Sequence, residues 1–161
     1  MKKNNFLLVG IDATSLNNRS SGAKQRFFNL YNEVFKKVSF ARFIIFEPHD
    51  YNFRSSKKID HLKNLKFIKT PIKSNNSFLN IIKSYFYWRK ISNTFKFDIF
   101  ETYRLPIFKN SSKINILTIH DLRYLYWKFS GIKTILNNLY CKIFLKKIDN
   151  FIVVSHSTRN Q

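Results

Sequence analysis

The sequence predicts an α/β domain: a doubly wound, mostly parallel sheet in three layers, with helices on both faces. Three observations carry this. Apolar runs of strand length recur along the chain, segments with apolar residues at helical spacing stand between them, and the connections are short. A parallel strand is covered on both faces and so reads as a continuous apolar run, and reaching its parallel neighbour takes a crossover that is usually helical. Over 161 residues this alternation predicts one domain of ordinary size, residues 1–161, with a real core.

In order, Phe6 to Ile11 is the first buried strand, and Asp12 to Gly22 is a polar loop. Phe27, Leu30, Tyr31, Val34, Phe35 and Val38 then fall at helical spacing, so a helix begins near Gly22, capped by Ser20 or Ser21, and shows that stripe to the sheet. Arg42 to Glu47 is the second strand, ended by Pro48, and Lys66 to Thr70 is the third, closed by Pro71, with a short helix near Lys57 to Leu62 between them. Phe78, Ile81, Ile82, Tyr85 and Trp88 mark a helix from Ser77 to Thr94. Phe97 to Glu101 is the fourth strand, before a break at Leu105-Pro106. The stretch Ile114 to Leu122 supplies the fifth, Ile132 to Ile143 the last helix, and Phe151 to Val154 the sixth strand.

Composition narrows the function classes only coarsely. Hydrophobic residues at 44% and aromatic residues at 17% exclude a disordered chain. The one cysteine, Cys141, excludes an intramolecular disulfide, fits a reducing compartment and sits in an apolar helical pattern as a core residue. Phe6 to Ile11 is shorter than a signal-peptide core and ends at Asp12, and no apolar segment reaches spanning length, so a cytoplasmic protein is expected. The formal net charge of +20 favours anionic partners: nucleic acid, an acidic lipid surface or phosphorylated substrates. The accompanying excess of Lys, Asn, Ile and Phe is also what a biased base composition would produce, so charge alone selects none of them.

Candidate chemistry gathers where strands end, because ligands of open α/β sheets bind at the carboxyl edge. His120 and Asp121 close the fifth strand, and two readings of them stand: His120 contacts a substrate, or Asp121 caps the next turn beside a satisfied loop histidine. Gly22, Lys24 and Arg26 at the start of the first helix make a phosphate site, since a helix amino end exposes unpaired N–H groups, although one glycine is neither a dinucleotide fingerprint nor a P-loop. Glu101 and Tyr103 after the fourth strand and Ser155 after the sixth converge on the same edge as candidate substrate contacts. No metal-ligand spacing is present.

The order of these signals resembles the amino-terminal domain of a retaining glycosyltransferase with two Rossmann-like domains (the GT-B type, family 4 or "group 1"). The pieces are Ile11-Asp12-Ala13, Ser21-Gly22-Ala23-Lys24-Gln25-Arg26-Phe27, Phe97-Asp98-Ile99-Phe100-Glu101 with Leu105-Pro106, Leu117-Thr118-Ile119-His120-Asp121-Leu122, and Phe151-Ile152-Val153-Val154-Ser155-His156-Ser157. The resemblance implies that this domain holds the acceptor, that Gly22 and Lys24 approach the diphosphate of a nucleotide-sugar donor, and that His120, with Asp121 beside it, faces the transferred sugar. The donor is a substrate, and no separate cofactor is implied. One glycine in the loop, and Tyr126-Trp127 where a proline often stands, depart from the pattern.

The same resemblance implies a second, nucleotide-binding domain after Ser157, so the chain as given is expected to be half of an enzyme and inactive without the other half, whether as fragment, subunit or pseudoenzyme. The expected partners are a nucleotide sugar, a polysaccharide or lipid-linked acceptor and a chain carrying the second domain; nucleic acid is not expected. The alternative is a stand-alone module for anionic surfaces or nucleic acid, or an inactive fragment. Tyr124, Tyr126, Trp127, Lys128, Phe129, Lys133, Lys142, Lys146 and Lys147 add an expectation of peripheral contact with the inner face of a membrane.

Overall fold

The computed structural model describes residues 6–16, 22–53, 63–74, 78–103, 112–119, 143 and 145–153. They form strand β1 (Leu7–Asp12), helix α1 (Gly22–Lys37), β2 (Ala41–Glu47), β3 (Leu65–Lys69), α2 (Phe78–Thr94), β4 (Ile99–Thr102), β5 (Ile114–Ile119) and β6 (Asn150–Val153). The expected elements at 57–62 and 132–142, and Cys141, lie outside the described residues.

The six strands make one sheet in the order β3-β2-β1-β4-β5-β6, and all five pairings are parallel. This is the α/β, Rossmann-like arrangement that the alternating pattern predicts. Chain direction reverses its march across the sheet at β1, so the β1/β4 boundary is the topological switch point, the place where ligands of open α/β sheets bind.

The two faces are told apart by alternate residues of β2. Phe43 and Ile45 pack with Val9 and Ile11 of β1 and with Phe27, Phe28, Tyr31 and Phe35 of α1. Ile44 and Phe46 pack with Phe97 and Phe100 and with Trp88 and Ile91 of α2. The helices therefore cover opposite faces, which gives the three layers. Both cores are strongly aromatic. Phe27 meets four rings at centroid distances from 5.0 to 5.9 Å, and Phe46 stands edge-on to Trp88 at 4.9 Å. Such edge-to-face pairs add to the area they bury.

At Gly10 of β1 the sheet lacks a side chain on the α2 face. A Cβ placed on Gly10 would lie 2.7 Å from the Phe100 ring and 2.9 Å from that of Phe97, so only glycine admits both rings. The carboxyl end of α1 is closed from outside the helix: the Asn64 amide donates to the carbonyls of Phe35 at 3.2 Å and Val38 at 3.1 Å, groups a helix end otherwise leaves unpaired.

The helical stripes differ from expectation in part. In α1 Phe27, Tyr31 and Phe35 are buried as the spacing predicts, but Phe28 joins them and Leu30 is exposed. In α2 the expected Ile82 and Tyr85 lie outside, and the buried side carries Asn80, Ser84, Trp88 and Ile91. The reason is that α2 is apolar on both sides, so period alone does not choose a face.

Candidate functional site

The three central strands carry a buried carboxylate at or near their carboxyl ends, Asp12 on β1, Glu47 on β2 and Glu101 on β4, each 5% exposed or less. Burying a charge is costly unless it is bonded, and every one of these has donors around it. Asp12 Oδ1 accepts the Thr14 backbone N–H at 3.0 Å and the Thr14 hydroxyl at 2.6 Å, an Asx-type turn that sets the start of the loop after β1. Its Oδ2 accepts the Thr102 hydroxyl at 3.3 Å, which joins β1 to β4 across the switch point. Glu47 Oε1 accepts the Phe53 N–H at 2.5 Å, and the Glu47 carbonyl accepts both the N–H and the hydroxyl of Thr70.

Glu101 ties three elements together. Thr118 of β5 donates its hydroxyl to Oε1 at 2.5 Å, and the Tyr31 phenol of α1 donates to Oε2. Burial pushes the Glu101 carboxyl above its ordinary value; bonds from Thr118 and Tyr103 and the charge of Arg26 pull it part of the way back. The Tyr103 phenol is raised as well, first by burial and then by the Glu101 carboxylate beside it. Its ring stands edge-on to Phe27 at 5.9 Å, so Tyr103 belongs to the α1-side core as well as to the site.

The expected site residues fare differently. Glu101 and Tyr103 are brought together at the end of β4, next to the switch point. Gly22 opens α1 and is exposed, and a Cβ there would meet nothing within 4 Å, so packing within the chain does not demand glycine at that place. Lys24 places its ammonium 4.5 Å from the centroid of the Tyr51 ring, toward the loop after β2. Arg26 is the cation whose field reaches Glu101 and Tyr103. β5 ends at Ile119 and β6 at Val153; His120, Asp121 and Ser155 lie outside the described residues, as do the aromatic and basic positions 124–142.

Sequence reasoning missed Asp12, Tyr31 and Thr118 as members of the site. Tyr31 falls in a helical apolar stripe and Thr118 in a strand run, where each reads as core. The signal that finds them is a hydroxyl inside a run whose burial is otherwise complete, since such a group must find a partner. Among the described residues no group of three or more His, Cys, Asp or Glu side chains could hold a metal ion. The carboxylates act instead as braces: they hold the mouths of β1, β2 and β4 in one arrangement.

No protein-family model matches the chain, and no curated protein or solved structure matches it at a significant level.

Proposed function

We propose that the chain is the acceptor-binding domain of a retaining glycosyltransferase of the GT-B type, moving a sugar from a nucleotide sugar to a polysaccharide or lipid-linked glycan together with a second domain. One observation carries the reading. The described parts of the sequence pieces that resemble that family lie on a parallel sheet of the Rossmann-like kind, where Ile11 and Asp12 pair with Glu101 and Thr102 at the switch point and α1 begins at Gly22.

In this reading Gly22 and the α1 amino end face the donor diphosphate, with Arg26 supplying positive charge nearby. Glu101, Tyr31, Tyr103 and Thr118 form the rigid floor on which an acceptor group rests. His120, next in sequence to the last residue of β5, faces the transferred sugar, and its hydrogen bond to the reacting group strengthens in the transition state.

The test is sugar transfer by the chain joined to, or supplemented with, its second domain. His120→Ala should lower the rate on the order of a hundredfold, the worth of one transition-state hydrogen bond, while leaving the melting temperature in place. Full activity in His120→Ala would return that histidine to a loop role beside a capping Asp121. Failure of the two-domain form to turn over any nucleotide sugar would overturn the reading itself.

A further inference from the structure

The polar residues at the switch point divide between the two faces of the sheet. Side chains alternate along a strand, so Val9 and Ile11, which pack in the α1-side core, leave Gly10 and Asp12 on the α2 side, where Gly10 meets the Phe97 and Phe100 rings. By the same alternation Glu101, bonded to Tyr31 of α1, leaves Phe100 and Thr102 on the α2 side. Asp12 and Thr102 stand opposite each other in register and are hydrogen-bonded. The group built on Glu101 therefore faces α1, and a second polar group, Asp12 with Thr102, faces α2.

Helix α2 answers that group with hydroxyls. Asn80, Ser84 and Tyr87 follow one another at intervals of four and three residues, and Asn80 and Ser84 are 3% exposed or less. Asn80 is satisfied: its side-chain amide accepts the Lys73 N–H at 3.4 Å and donates to the Lys73 carbonyl at 3.3 Å. The Ser84 and Tyr87 hydroxyls are buried as well, yet have no hydrogen-bond partner among the described residues. The Tyr87 ring stands edge-on to Phe46, which pairs with Asp12 across β1 and β2, so Tyr87 lies at the Asp12 end of β1. Burial, and then the Asp12 charge, hold its phenol above the ordinary value, so it keeps its proton. Two unmet hydroxyls on one side of one helix are costly, and a folded chain retains such groups where something else completes them.

We propose that the α2 side of the switch point, between Ser84 and Tyr87 of the helix and Asp12 and Thr102 of the sheet, binds a small uncharged ligand through an oxygen that accepts from the two hydroxyls. Charge sets the class. An anion would meet the Asp12 carboxylate with no cation on the inward side of α2, where Lys83, Arg89 and Lys90 are all exposed. A cation would find that carboxylate already accepting the Thr14 N–H and the hydroxyls of Thr14 and Thr102. A neutral oxygen meets neither objection, since the Tyr87 phenol and the Ser84 hydroxyl both donate. Phe46 and Trp88, the neighbours of the Tyr87 ring, supply apolar walls. The proposal rests on the α2 side alone and is independent of the sugar-transfer reading.

The experiment titrates probes of one shape and different charge, acetamide, acetate and acetamidinium, into the isotope-labelled chain and follows amide chemical shifts. Acetamide is expected to move the signals of Asp12, Ser84, Tyr87 and Thr102 saturably, and the two ions to leave them in place. Ser84→Ala and Tyr87→Phe should each weaken acetamide binding by roughly two- to tenfold, the worth of one neutral hydrogen bond. Each should also raise the melting temperature of the free chain, because it removes a buried hydroxyl that is unmet until the ligand arrives. Ser92→Ala, on the same helix but with its hydroxyl bonded to the Arg89 carbonyl at 2.8 Å, should leave binding unchanged. A gain in stability joined to a loss of binding is the signature of a ligand site, whereas a mere packing fault would show the gain with no binding to lose. The absence of a saturable shift with acetamide, or equal shifts with acetate, would overturn the proposal. So would a loss of stability in both Ser84→Ala and Tyr87→Phe, which would mean that the two hydroxyls are already satisfied in the free chain.

Discussion

At the amino edge of the sheet Asp98 and Asp149 each stand one residue ahead of a strand and accept the backbone N–H of the strand beside it, Leu8 at 2.8 Å and Asn115 at 2.6 Å. At the carboxyl edge Asp12, Glu47 and Glu101 also accept, but they are buried, and hydroxyls of Thr14, Thr102, Thr118 and Tyr31 are among their donors. The first pair sets where parallel strands begin, a task that open water does not disturb. The second group fixes side-chain geometry in a place water does not reach, and that is the condition a binding floor needs. The same chemical group thus sets register at one end of the sheet and fixes the side chains of the candidate site at the other.

The largest way to break this contrast is Glu101→Ala, which strands the Tyr31 and Thr118 hydroxyls in a buried place and should cost about 3 kcal/mol in urea unfolding. Glu101→Gln keeps the shape and should cost less. Asp12→Ala, which releases the Thr14 turn and the bond from Thr102, should cost about 2 kcal/mol by the same measurement. Asp98→Ala should shift the urea midpoint less than either, and part of its effect should vanish at raised salt, because the Lys113 ammonium at 2.7 Å is solvent-exposed.

The pH dependence separates the two edges by sign. Glu101 is raised from 4.5, so the folded state keeps its proton longer than the unfolded chain; its contribution is whole below 4.5 and fades as pH climbs through the folded value. Asp98 is lowered from 3.8, chiefly by the Leu8 N–H and then by Lys113, so its contribution is whole above 3.8 and fades as pH falls. The penalty of Glu101→Gln should therefore shrink on going from acid to neutral pH, whereas that of Asp98→Asn should grow. Parallel slopes in urea unfolding across that range would remove the distinction. The smallest effect is expected at Ser84 and Tyr87, whose buried hydroxyls have no hydrogen-bond partner among the described residues. Ser84→Ala should stabilise α2 by about 0.5 to 1 kcal/mol, since it removes an unmet polar group and improves helix propensity.

How much of this was readable beforehand depends on the type of signal. The six strands and two described helices follow from period and turn residues because those report local geometry, and α1 shows its stripe because the opposite side is polar, with Asn29, Glu33 and Lys36 exposed. α2 hid its inward side because Leu79, Ile82 and Phe86 compete with Trp88 and Ile91, and only the sheet decides between them. Glu101 was visible as a charge ending an apolar strand. Its partners were not, since Tyr31 lies seventy residues away along the chain and Thr118 seventeen, and period carries no information over such separations.

Gly10 carries a consequence for how this sequence can vary. The rings of Phe97 and Phe100 occupy the volume where a side chain on β1 would begin, although the first ring lies eighty-seven positions away in the chain. These three positions are one packing unit, so they should evolve as one: a larger residue at 10 is tolerable only with a smaller one at 97 or 100. In the laboratory Gly10→Ala should be destabilising alone and should be rescued, in part, by Phe100→Leu, so that a double-mutant cycle gives a coupling energy. Among natural variants the same coupling would appear as covariation between the middle of the first strand and the start of the fourth, a long-range record of the sheet order that no local pattern in a single sequence contains.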